Sequence, residues 1–135
     1  NAGSYLVPAA DDLGRPVVTL YQVRDLVATA RVAITATGEQ TLLAGAAATL
    51  HDLVEISGAN ESTNAVTVSI RDNLAGGIVR TIQLPANDTK DFAFPLPIPQ
   101  SEAANTWTAQ ADDFVSDGTT SNGTVTINAT FIKNV

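Results

Sequence analysis

The clearest periodicity lies in residues 66–71, where Val66, Val68 and Ile70 alternate with Thr67, Ser69 and Arg71. Successive side chains of a strand point to opposite faces, so this alternation predicts a half-buried β-strand. Asp72-Asn73 and Gly76-Gly77 mark a turn. Residues 78–84 follow, with Ile78, Ile82 and Leu84 on one face and Thr81 and Gln83 on the other. Together the two segments predict a hairpin. Arg80 shares the face of the three apolar residues, which suits a sheet edge. The last segment alternates as cleanly, with Val125, Ile127, Ala129 and Phe131 set against Thr124, Thr126, Asn128 and Thr130. Upstream, Trp107, Ala109 and Ala111 alternate with Thr106, Thr108 and Gln110. Residues 116–123, between them, are a loop by composition. A second hairpin with a long loop is expected there.

Residues 91–99 interleave two patterns. Phe92, Phe94, Leu96 and Ile98 take every second place, and Pro95, Pro97 and Pro99 fill the places between. Proline has no N–H and a fixed φ, so an extended edge segment is predicted, with its apolar side chains laid on a core. Residues 50–56 read as a strand ending at Ser57-Gly58-Ala59-Asn60, and residues 37–43 as a shorter one. The Ala-rich residues 44–48 suit one helical turn or a loop. Residues 17–34 have near-helical spacing of Leu20, Val23, Val27, Ala30 and Ile34, but their Val and Thr content favours extended structure. Residues 1–16 show no period and carry Gly3, Pro8, Gly14 and Pro16. They read as an arm, yet one holding Tyr5, Leu6 and Val7, which are costly to leave in water.

Strands at roughly ten-residue spacing with Gly, Asn, Asp and Pro turns predict an all-β chain. The expected fold is an antiparallel β-sandwich, jelly-roll or immunoglobulin-like, of about eight strands with an extended N-terminal arm. The chain has 135 residues, with 44% apolar and 5% aromatic. That suits an arm over residues 1–30 and a sandwich domain over residues 31–135 with a thin core. There is no cysteine, so disulfides, thiolate-held metals and a cysteine nucleophile are excluded. The net charge is −7 and the five Arg and two Lys are scattered. No basic cluster exists to track phosphates or an anionic membrane, so neither nucleic acid nor membrane is an expected partner. No apolar run is long enough to span a bilayer, and no leader pattern opens the chain. The first residue is Asn1, so something is expected to be missing upstream.

Candidate chemistry is sparse. His51 is the only histidine, and no G-x-S-x-G elbow accompanies it; it reads as a strand histidine near the surface. The pairs Asp11-Asp12 and Asp112-Asp113 read as solvated loop acids. An EF-hand register counted from Asp113 puts Val115 third, Gly118 sixth and Thr124 twelfth, which fails on ligands. An irregular calcium loop over residues 112–117 stays open. Sequons begin at Asn60, Asn87, Asn122 and Asn128 and read as products of a Thr-rich composition. Trp107 shares a face with Ala109 and Ala111, which suits a core better than a sugar platform. No catalytic residue, cofactor or metal is expected.

One run of segments carries a family likeness. It joins Gly38-Glu39-Gln40-Thr41-Leu42-Leu43-Ala44, Leu50-His51-Asp52-Leu53-Val54, Ser57-Gly58-Ala59-Asn60, Val66-Thr67-Val68-Ser69-Ile70, Leu84-Pro85-Ala86-Asn87, Phe94-Pro95-Leu96-Pro97 and Val125-Thr126-Ile127. Over residues 37–135 the chain resembles small virion proteins of tailed bacteriophages, notably capsid decoration (cement) proteins with a β-sandwich or jelly-roll fold. The resemblance implies a non-enzymatic protein on the outer capsid surface of the virion. Its implied partners are the major capsid protein and further copies of itself, a homotrimer being favoured. It also implies that the arm lies on the shell or a neighbour. Tyr5, Leu6, Val7, Val17, Val18, Leu20 and Tyr21 would be its anchors. Arg15, Arg24 and Arg31 would face acidic shell residues. Three alternatives stay open: another virion part such as a head fibre, neck or tail component; a carbohydrate or host-surface binding module; or a fibre subunit whose arm donates a strand.

Overall fold

The protein is described by a computed structural model over residues 24–111 and 124–134. A short 3-10 turn, Arg24–Leu26, leads into β1 (Val27–Ile34). Then come β2 (Gln40–Leu43), β3 (Leu50–Asn60), β4 (Val66–Arg71), β5 (Ile78–Leu84), β6 (Asp88–Ile98), β7 (Trp107–Ala111) and β8 (Val125–Asn134). They form two four-stranded antiparallel sheets, in the orders β1-β8-β3-β6 and β2-β7-β4-β5. The first strand pairs with the last, the second with the seventh, the third with the sixth and the fourth with the fifth. This is a long antiparallel ribbon rolled over itself, the jelly-roll topology, and not the immunoglobulin order.

The all-β expectation and the two-sheet sandwich hold. The arm residues 1–23 and the loop 112–123 lie outside the described residues, and with them the irregular calcium loop. Val27 to Ala30, expected in the arm, sit in β1 and pair with β8. The hairpin of β4 and β5 forms as its alternation requires. The second expected hairpin does not form. β7 pairs with β2 and β4, whereas β8 pairs with β1 and β3, so these neighbours in sequence belong to opposite sheets. Both strands show the same alternation, and alternation carries no information about which sheet a strand joins.

The core lies between the sheets. Ile34, Leu53, Ile56, Phe131 and Ile127 of the first sheet meet Leu42, Val68, Ile70, Ile82, Leu84 and Trp107 of the second. Trp107 and Phe131 pack with centroids 5.4 Å apart at 48°. Small residues make room for these large ones: Ala109, Ala111 and Ala129 are buried on the same faces. Gly58 completes this fit. A Cβ there would lie 2.8 Å and 2.9 Å from the Leu84 methyls and 3.2 Å from Ile127 Cδ1. Gly58 was read as a strand end, yet β3 continues through it to Asn60. Its missing side chain is a packing feature, not a stop.

Two irregularities re-aim side chains. A bulge in β3 leaves Val54 and Glu55 both half-exposed. On β6, Leu53 pairs with Ile98 and Glu55 with Ala93, so Phe94-Pro95-Leu96-Pro97 arch away from β3. The prolines sit where no ladder N–H is needed. Phe94 and Ile98 still pack on the core, but Leu96 is 80% exposed, contrary to the simple alternation. A register shift between Ile70 and Arg71 acts similarly on β5. Val79 packs against the core, while Ile78, expected inward, is 54% exposed.

The β2–β3 link packs tightly on the β6–β7 link. A Cβ on Gly45 would lie 2.0 Å from the Ala104 carbonyl oxygen and 2.6 Å from that of Asn105. These are main-chain atoms and cannot move aside cheaply. Gly45→Ala is expected to cost about 1–3 kcal/mol by overpacking, read as a lowered urea midpoint. Gly77→Ala, where a Cβ meets nothing within 4 Å, should leave the midpoint nearly unchanged. Equal midpoints for the two variants would contradict this packing.

Candidate functional site

The only imidazole is structural in its surroundings. His51 was expected near the surface; it is buried at 5% exposure near the start of β3. The bulge further along β3 shifts which residues face inward, and His51 and Leu53 fall on the core side. Its ring meets Phe131 edge-on, with centroids 6.5 Å apart. Its backbone N–H donates to Gln100 Oε1 at 2.8 Å, and its carbonyl accepts from Trp107 Nε1 at 2.8 Å. Ring Nδ1 has no hydrogen-bond partner. Burial foremost, then the Lys133 ammonium, lower the His51 pKa, and Asp52 opposes them.

Around His51 the loops are tied by carboxylates and amides. Gln100 is buried, donates from Nε2 to the Asn105 carbonyl at 2.9 Å, and donates its backbone N–H to Asp52 Oδ1 at 3.0 Å. Asp52 also accepts from Asn134 Nδ2. Asp72 accepts from the Ser101 N–H at 2.7 Å. Glu39 accepts from the Ala75 N–H, at 3.0 Å and 3.1 Å for its two oxygens, and from the Thr108 hydroxyl. These acids work as anchors for backbone N–H groups rather than as free surface charge. Among the described residues no three His, Asp or Glu side chains converge as a metal site, and no helix is long and apolar enough to cross a membrane.

At the other end of β3 a second network forms. Asn60 is buried, and its Nδ2 donates to the carbonyls of Asn64, Leu84 and Pro85 at 2.8, 3.2 and 3.1 Å. Its Oδ1 accepts from the Ser62 N–H at 2.9 Å and from the Ser62 hydroxyl at 2.6 Å. An amide so enclosed cannot also carry a glycan, so the sequon at Asn60 is a structural turn. Asn87, by contrast, is exposed in a left-handed turn conformation at φ 51°.

The outward feature of the sandwich is the rim where β5 and β6 face each other. Six large apolar side chains are exposed among the described residues, and three belong to these two strands: Ile78 on β5, and Phe92 and Leu96 on β6. Between the two strands a cleft of about 310 Å³ opens onto the core residues Ile56 and Ile82, walled by Phe92, Phe94 and Thr81. The Arg80 guanidinium lies 5.1 Å from the centroid of the Phe94 ring, a cation–π contact at the mouth. Arg80 thus sits at a sheet edge, as its mismatched position suggests. β5 pairs only with β4 and β6 only with β3 among the described residues, so both present unpaired strand edges. On the outer face of the first sheet, Glu55 faces Asp91, whose charge and hydrogen bond hold the Glu55 pKa above its usual range.

The expected arm anchors Tyr5, Leu6, Val7, Arg15, Val17, Val18, Leu20 and Tyr21 lie outside the described residues. Arg31 is exposed on β1. The sequence did not single out the β5–β6 rim; the interleaved prolines and the misplaced Arg80 were the available signs of it. A search against known protein families and a search of curated proteins both find no match.

The His51 environment fixes a sign for pH dependence. The fold favours the neutral imidazole, so its contribution to stability is complete above the unfolded value of about 6.5 and is lost as pH falls below it toward the lowered folded value. The urea midpoint should fall between pH 7.5 and 5, and His51→Gln should remove part of that fall. An identical pH slope in the variant would contradict the burial of the neutral ring.

Proposed function

We propose that this chain is a non-enzymatic structural protein of a tailed-bacteriophage virion. In this reading it binds the outer surface of the capsid shell between major capsid protein subunits and stabilises their joints as a homo-oligomer, a trimer being favoured. The observation that carries the reading is the distribution of apolar surface on a rolled eight-stranded sandwich. Three of the six exposed large apolar side chains of the described residues belong to β5 and β6, beside an apolar cleft, and a rim of this kind suits lasting contact with another protein. The resemblance to decoration proteins supplies the virion context, and the jelly-roll order is compatible with it. The net charge of −7 keeps many copies apart except at their intended contacts.

A sugar-binding module is less well supported, because Trp107 is fully buried and bonded to His51 and offers no stacking platform.

Purified protein added to assembled phage shells stripped of their surface proteins should bind them and raise the temperature at which they break. Free shell subunits should not be bound. Removing residues 1–16 should abolish docking while circular dichroism still reports the sandwich. If the full chain neither binds nor stabilises shells, the decoration reading fails. If docking survives the deletion, the arm is not the anchor.

A further inference from the structure

The four edge strands of the sandwich differ in how well they are protected. β2 is only four residues long, too short to template much pairing. β6 carries Pro95 and Pro97, which lack an N–H, and the charged Asp88, Lys90 and Asp91. These are the usual means of blunting an edge. β1 is longer, but none of its own side chains is among the exposed large apolar ones. β5 has the sequence Ile78-Val79-Arg80-Thr81-Ile82-Gln83-Leu84, with no proline and one charge. It also borders the apolar cleft of Ile56, Ile82, Phe92 and Phe94. It is the open edge with both free backbone groups and an apolar floor beside it.

The chain holds a segment suited to that edge. Val17-Val18-Thr19-Leu20-Tyr21 is a run of strand-forming residues without charge or proline. We propose that residues 17–21 of one copy add as a strand to the free edge of β5 in a second copy, laying apolar side chains over the cleft. Main-chain hydrogen bonds would supply affinity and the cleft would supply register, as in other cases of strand addition.

Tether length selects a second copy over the chain's own β5. Tyr21 is joined to Val27 through the 3-10 turn Arg24–Leu26. Even with the other four steps fully extended this connector reaches about 18 Å. β1 and β6 are at opposite edges of one sheet, and β5 lies beyond β6 in the other sheet. A strand added outside β5 lies four strand spacings and one inter-sheet spacing from β1, about 22 Å in a straight line through the core, and the route around the surface is longer. Donation from copy to copy is head-to-tail, so it closes as a ring or extends as a filament. The inference goes beyond the decoration reading and does not depend on it.

The chain contains no cysteine, so introduced thiols report proximity without background. Copies carrying Thr19→Cys, mixed with copies carrying Thr81→Cys under mild oxidation, should yield a disulfide-linked dimer. Replacing the second partner by Asn128→Cys, exposed on the other sheet, should not. In the full chain, Leu20→Asp should weaken self-association in sedimentation by about ten-fold or more, the effect of losing one buried leucine. A closed oligomer and a growing filament both support the pairing, and a filament would at the same time count against decoration. The assay contains no shell, so failure of shell binding leaves it intact. A monomer at every concentration, equal cross-linking to Asn128→Cys, or unchanged association in Leu20→Asp would overturn the proposal.

Discussion

Trp107 donates its indole N–H to the main-chain carbonyl of His51 across the sandwich, from β7 in one sheet to β3 in the other. At the far end of the same strand, Asn60 donates its amide to the carbonyl of Leu84, from β3 to the last residue of β5. β3 is therefore fixed to the opposite sheet at both ends. Hydrophobic contact alone would let two sheets slide, because it has no direction. A buried hydrogen bond does have direction, and leaving either carbonyl unpaired would cost about 1–3 kcal/mol. The fine fit of the core follows from this spacing: Gly58 must lack a side chain for Leu84 to lie where Asn60 holds it.

A sandwich held in this way has a rigid body and a choice of surfaces. Its loops are tied down by Glu39, Asp52 and Asp72, and its lone imidazole is packed against Phe131. What stays open is the seam between β5 and β6, where neither strand has an outer partner among the described residues. The arch at Phe94 to Pro97 and the register shift between Ile78 and Arg80 both turn apolar side chains of these strands outward. Apolar surface placed by backbone irregularity, on a scaffold that does not yield, is better suited to an interface than to a reaction. Assembly is accordingly the reading proposed for the protein.

Much of the fold was legible in the sequence because period-two alternation is a local signal. Val66 to Ile70 and Val125 to Phe131 announce their own strands and faces. Sheet membership is not local, so β7 and β8 looked like a hairpin although they lie in different sheets. Faces were misread where the backbone slips by a residue: Ile78 beyond the β4–β5 irregularity, Leu96 within the proline arch, and His51 ahead of the bulge in β3. Gly58 looked like a terminator because composition cannot tell a turn glycine from one that accommodates a neighbour's methyls. The rim was hidden for the same reason, since its side chains are exposed by register and not by residue type. The anchoring roles of Glu39, Asp52 and Asp72 left no sign in the sequence, because their backbone partners are distant along the chain, as Ala75 is from Glu39.

The most direct measurement is hydrogen exchange at the two inter-sheet bonds. The indole N–H of Trp107 and the backbone N–H groups of β3 should exchange together, at the slowest rate in the molecule, because both require the sheets to part. Denaturant should accelerate them in parallel. An indole proton that exchanges far faster than the β3 amides, with a different denaturant dependence, would contradict the claim that this bond locks the sandwich.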